Sequence, residues 1–271
     1  MSSFISKTMH ENMAVLVHGI AGPAASFDPL RKKLKVHSVA PPISGHGLAP
    51  TSRTLLHATD AMDGVRDIAT QIEHVRNSLK ACTITLGGFS MGAFYTLLYL
   101  SLQERGEVPP VDRVVFLAPA PVGLKPSLDV FRSHPVSYLS GVARLRIDDI
   151  LRSSHEMFMG DDVPQEEQKE YFDSLKPVSI RAYLQFMFPS LLAKRFPGHH
   201  SLKTPATIFR ATRDRVCSEK LVESVATFFK SEVPIEEFDT SHCGILHSEK
   251  VADAFSLVAL GDGDGSGRAS V

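Results

Sequence analysis

Short apolar runs of β type alternate with longer stretches whose apolar residues recur every three or four positions. The β-type runs are Ala14–Val17, a weaker one at Val36–Ala40, Thr83–Leu86, Arg113–Leu117, Ala206–Phe209 and Ile235–Phe238. The helical periods cover Ala61–Leu79, Met91–Arg105, Ser218–Lys230 and Ser248–Val258. Strands that read as continuous apolar runs are buried on both faces, so the pattern predicts an α/β fold with a mostly parallel sheet of about six strands and helices on both faces. The alternation stops between about residues 121 and 203. That stretch reads as helices separated by proline and glycine, with an aromatic and methionine-rich piece at Tyr183–Phe196. The expected organisation is a core of residues 1–120 and 204–260, a helical cap inserted at 121–203, and a disordered Gly-rich tail at 261–271.

Composition narrows the class. At 271 residues and 43% hydrophobic content the chain can bury one substantial core. A formal net charge of −1 does not suggest a strongly basic face for nucleic acid, and leaves room only for a local patch. No run approaches the roughly 20 apolar residues of a membrane span, and Met1–Met13 lacks the basic start and apolar run of a secretory signal. Cys82, Cys217 and Cys243 are an odd, widely spaced set. They fit reduced thiols better than a disulfide framework, and the expected location is cytoplasmic.

The chemistry concentrates in Gly88-Phe89-Ser90-Met91-Gly92, a G-x-S-x-G between a predicted strand and a predicted helix. Glycines two residues either side let the chain pass through a tight turn in which the serine takes unfavourable backbone angles. Ser90 then projects at the C-terminal edge of the sheet, and the Met91 N–H points into the site at a helix N-terminus.

These residues resemble the α/β-hydrolase superfamily of serine hydrolases (esterases, lipases and thioesterases), and the resemblance covers nearly the whole chain. His18-Gly19-Ile20-Ala21-Gly22 resembles the family's oxyanion loop, which implies Ile20 as the donor of the second N–H beside Met91. Ser44-Gly45-His46-Gly47 resembles a supporting turn, with His46 structural; the Asp and Arg that often precede that turn are replaced by Pro-Ile-Ser. A serine hydroxyl needs a base, and the base needs a carboxylate to fix its tautomer. The family's order of Ser, acid, His nominates Asp214, after the Ala206–Phe209 run, and His242, after Ile235–Phe238. Two rivals are weaker. Asp239 stands too near His242 to be its usual partner, and His247 falls where the last helix begins. The arginines beside Asp214, Arg213 and Arg215, are possible charge partners for it.

The resemblance implies acyl transfer on a largely apolar small-molecule ester, thioester or lactone, with no cofactor and no metal. Phe89, Phe186, Met187, Phe188 and Leu191 are the candidate substrate-binding residues. Two other uses of the scaffold compete: carbon–carbon cleavage, lyase or cyclisation chemistry on the same triad, and a non-catalytic ligand-binding protein. The sequence carries no signal for the oligomeric state.

Overall fold

The computed structural model describes residues 12–46, 53–79, 83–122 and 124–261. Among them six strands form one sheet: β1 (Asn12–Val17), β2 (His37–Val39), β3 (Thr83–Phe89), β4 (Arg113–Leu117), β5 (Ala206–Ala211) and β6 (Ile235–Phe238). Their order is β2-β1-β3-β4-β5-β6 and every pairing is parallel. Parallel pairing follows from connections too long for hairpins. The predicted Gly-rich tail beyond Gly261, the reading of residues 1–11, Gly47 and Cys82 lie outside the described residues.

The longer helices are α1 (Ala61–Leu79), α2 (Gly92–Gln103), α3 (Leu124–Ser133), α4 (Pro135–Ala143), α5 (Ile147–Ser153), α6 (Gln165–Ser174), α7 (Ile180–Met187), α8 (Glu219–Ala226) and α9 (Glu249–Leu260). Helix α1 buries Met62, Val65, Ile68, Ile72 and Val75, one stripe at helical spacing, and turns Arg66 and Glu73 to solvent. Helix α2 is buried from Gly92 through Leu102. Helix α8 is shorter than the predicted 218–230, because the chain after Ala226 turns to pair Phe229 with Leu202 in an isolated bridge.

Two adjacent glycines of β3 show how the layers meet. Successive strand residues point to opposite faces. A Cβ on Gly87 would lie 2.7 Å from Leu16 and 3.1 Å from Phe255 of α9, whereas one on Gly88 would lie 2.6 Å from Thr96 Oγ1 of α2. Helices α9 and α2 therefore press on opposite faces of the central strand. Close approach here is what places the end of β3, and the residue after it, between the two layers.

Helices α3–α7 all fall between β4 and β5, and this segment is stitched to the sheet's C-terminal edge by backbone groups. Lys176 N–H donates to the Ala21 carbonyl (2.9 Å), Ser179 N–H to the Gly45 carbonyl (2.8 Å) and Cys243 N–H to the Phe158 carbonyl (2.9 Å). The α7 residue Gln185 accepts the Ala61 N–H through Oε1 at 2.8 Å.

Candidate active site

Ser90 follows β3 directly and adopts φ +52°, a left-handed conformation that costs a residue with a side chain about 1 kcal/mol or more. Its surroundings hold it there. Ser90 N–H donates to the Leu117 carbonyl (3.0 Å), and the Ser90 carbonyl accepts from Ala93 and Ala120 N–H (both 2.9 Å). Gly92 lets α2 begin against β1, since a Cβ there would fall 2.1 Å from the Val17 carbonyl oxygen. Met91 N–H takes no part in the turn's own bonds at Ser90, Ala93 and Phe94. It is one of the first N–H groups of α2, which lack intrahelical acceptors.

The loop after β1 is pinned at two places. His18 Nδ1 bonds the Gly19 carbonyl at 2.9 Å. In a trans peptide the N–H points opposite to the C=O, so this bond directs the Ile20 N–H away from His18. Ala21 N–H donates to His46 Nδ1 (3.2 Å), and His46 Nε2 lies 2.7 Å from Tyr95 Oη. Accepting at Nδ1 leaves the His46 proton on Nε2, to be donated to Tyr95. Burial holds His46 well below the ordinary histidine range, so it stays neutral in this support role.

Burial also lowers His18 to about 4, the bond to Gly19 opposing it only in part. A histidine with a depressed folded pKa and an ordinary unfolded one stabilises the fold above about pH 6.5, and that stability is lost as pH falls toward 4. His18 alone accounts for about 2 kcal/mol between pH 7.5 and 5, and His46 adds in the same direction. The urea midpoint is expected to fall over that interval and the slope to flatten in His18→Gln. A midpoint unchanged between pH 7.5 and 5 in the wild type contradicts a neutral, buried His18.

Asp214 and His242 come from the loops after β5 and β6. Asp214 Oδ1 accepts the N–H groups of Val216 (2.7 Å) and Cys217 (2.8 Å), and Oδ2 lies 2.7 Å from His242 Nδ1. The carboxylate's orientation is thus fixed before it meets the imidazole. His242 is 1% exposed and Ser90 4%. The His242 ring lies between Phe89 and Phe158, at centroid distances of 5.1 and 5.6 Å. Its Nε2 is buried with no partner among the described residues, and His242 lines a cavity that Ser90 also lines. Cys217 stands within 4.8 Å of both Asp214 and His242 ligand atoms, a set that could hold a metal ion. The Asp214 and His242 atoms that face each other are already joined by their own hydrogen bond.

The other sequence-nominated residues divide. Arg213 does not turn to Asp214: it pairs with Asp161 (2.5 Å), Asp239 (3.0 Å) and Asp162 (3.5 Å). His247 precedes α9, which Ser248 caps, and pairs with Glu167 at 2.8 Å. Phe89 and Phe186 line the space beside Ser90. Met187, Phe188 and Leu191 are not on its wall, and Phe188 and Leu191 are 42% and 60% exposed. Helix α7 buries Ala182, Tyr183 and Phe186, and the residues after Phe186 fall off that face.

Sequence reasoning missed Leu151 and Phe158, which stand between the two parts of the space at Ser90. It also missed Tyr171, half-buried beside Cys243, and Asp162, which accepts the Ser241 N–H at 2.8 Å. Asp162 leaves no room for a side chain at Gly244, where a Cβ would sit 1.9 Å from its Oδ2. The segment between β4 and β5 thereby braces the loop that carries His242. The Asp161-Asp162 pair before Val163-Pro164 was the available signal, but pairing it with residues some 80 positions on requires the fold.

The model of the alpha/beta hydrolase family matches residues 14–254. Among solved structures, the esterase EaEST from Exiguobacterium antarcticum superposes with a TM-score of 0.64 at 20% identity, over 92% of this chain and 91% of that one. A bromoperoxidase from Bacillus anthracis gives 0.63 at 18% identity, over 93% and 92%. The RedJ thioesterase of the prodiginine biosynthetic pathway in Streptomyces coelicolor gives 0.59 at 20% identity, over 92% and 85%. No curated protein sequence matches the chain. Such low identities speak to fold alone, but the family match spans nearly every element from β1 to α9, and on it the chain belongs to the alpha/beta hydrolase family.

Proposed function

We propose that this protein is a serine hydrolase that cleaves a carboxylic ester, thioester or lactone of a largely apolar small molecule through an acyl-enzyme, with residues 121–203 acting as a cap over the site. The observation that carries the reading is the relay itself. Asp214, oriented by two backbone N–H groups, bonds His242 Nδ1, the opposite ring nitrogen is buried without a partner among the described residues, and His242 lines the same cavity as Ser90. A carboxylate on Nδ1 holds the proton there and keeps Nε2 a base.

The steps follow from these positions. His242 Nε2 takes the Ser90 proton as Oγ bonds the carbonyl carbon, and the developing oxyanion is held by the N–H groups of Ile20 and Met91. The carbon–oxygen bond to the alcohol then breaks, and His242 gives its proton to the departing oxygen. Water, deprotonated by His242, cleaves the acyl-Ser90 bond and releases the acid.

An acyl-enzyme has a kinetic signature. Rapid mixing with vinyl butyrate, an activated ester of a two-carbon alcohol, is expected to release a burst of acetaldehyde close to one equivalent per site, with intact mass showing the butyryl adduct. Turnover without an adduct trappable at low pH, or no turnover of any activated ester by folded protein, overturns the reading.

A further inference from the structure

The space at Ser90 has two lobes. The first, about 10 Å³, is walled by His242, Gly19, Phe89, Tyr171, Phe172 and Leu175. The second, about 50 Å³, has Met91, Ala120, Phe186 and Val216 on its wall but not His242. Ser90 and Ile20 border both. Chemistry assigns the lobes. The departing oxygen must face the nitrogen that protonates it, so the alcohol occupies the lobe that His242 walls. The acyl group, attached to the same carbonyl carbon, extends into the other. The alcohol lobe is the smaller and the acyl lobe the roomier.

The acyl lobe is apolar except at one place. Ser127, Tyr138 and Tyr183, from α3, α4 and α7, all stand on its wall. Ser127 Oγ lies 2.9 Å from Tyr183 Oη, and Tyr138 shares the wall with them. Among the described residues the Ser127–Tyr183 bond uses one of that pair's two hydroxyl hydrogens. Burying the Ser127 and Tyr183 hydroxyls in an apolar lobe costs stability that Ala and Phe would not. A polar atom of the substrate gives the cluster a purpose that packing does not.

Building on the acyl-transfer reading, we propose that the substrate is an ester of a short alcohol whose acyl group carries, a few carbons beyond the carbonyl, a hydroxyl or ketone oxygen recognised by Ser127, Tyr138 and Tyr183. The cluster donates to that oxygen, and the apolar wall takes the intervening carbons. Hydrolysis proceeds as above and leaves the distal oxygen unchanged.

The test compares kcat/KM for ethyl 4-oxopentanoate and ethyl pentanoate in the wild type, Tyr183→Phe and Tyr138→Phe. The wild type is expected to prefer the oxo ester by about tenfold. That ratio is expected to fall toward one in both variants. Taking the ratio within each variant cancels general losses of folding or activity, and Tyr138, only half-buried, serves where Tyr183→Phe misfolds. A wild-type ratio near one, a ratio that survives in both variants, or failure to cleave either ester by protein that a fluorophosphonate labels overturns the substrate inference and leaves the serine-hydrolase reading intact. Absence of labelling defeats that reading instead.

Discussion

Ser90→Ala is expected to lower kcat on any ester this protein cleaves by about 10⁶-fold, and adding His242→Ala to it is expected to cost little more. The reason is that the two groups act as one device: without Oγ there is no proton for Nε2 to take, and without Nε2 the hydroxyl stays a weak nucleophile. Activity that remains comes from binding and the Ile20 and Met91 N–H groups, which neither substitution touches. The replacement should leave stability close to unchanged, because alanine keeps the Cβ and the backbone bonds that hold the turn. The left-handed backbone at residue 90 remains equally strained. Steady-state kinetics with single and double variants measures this, and losses that multiply in the double variant would mean that Ser90 and His242 work separately.

The second large effect belongs to Asp214→Asn, with an expected loss in kcat of about 10⁴-fold. Its orientation is decided by hydrogen bonds already present. The side-chain oxygen must face the Val216 and Cys217 N–H groups, since turning the NH₂ to them would set donors against donors. The NH₂ is left facing His242 Nδ1, 2.7 Å from the atom it replaces, and it donates there. Nδ1 then becomes an acceptor, the ring proton moves to Nε2, and the nitrogen that should receive the serine proton already holds one. The defect is one of tautomer, not of shape, so the variant should fold and bind substrate with KM little altered. A kcat within tenfold of the wild type would remove Asp214 from the relay.

Much of this site was legible because its signals are local. The two glycines around Ser90 mark one strand–turn–helix unit: Gly88 makes room for Thr96 within it, and Gly92 for Val17 of the neighbouring β1. The parallel sheet followed from apolar runs separated by helical periods, and each predicted strand core lies within or across an observed strand. The loops bearing Asp214 and His242 could be placed because each directly follows such a strand.

What was not legible depends on contacts distant in sequence. Phe186 and Phe188 look alike along the chain, yet only the former lies on the buried face of α7. Arg213 stands beside Asp214 in sequence but turns to Asp161, Asp162 and Asp239, a choice fixed by how the segment between β4 and β5 meets the His242 loop. The second lobe is built by residues from α3, α4, α5 and α7, whose positions no single-stretch pattern reveals.

The central claim is that Ser90 is an activated nucleophile. It is tested most directly by treating wild type, Ser90→Ala and Asp214→Asn with an alkyl fluorophosphonate small enough for the acyl lobe, and reading intact mass over time. The account predicts one phosphonyl adduct on the wild type, none on Ser90→Ala, and slow labelling of Asp214→Asn. Equal labelling of wild type and Ser90→Ala, or none of the folded wild type, would contradict it.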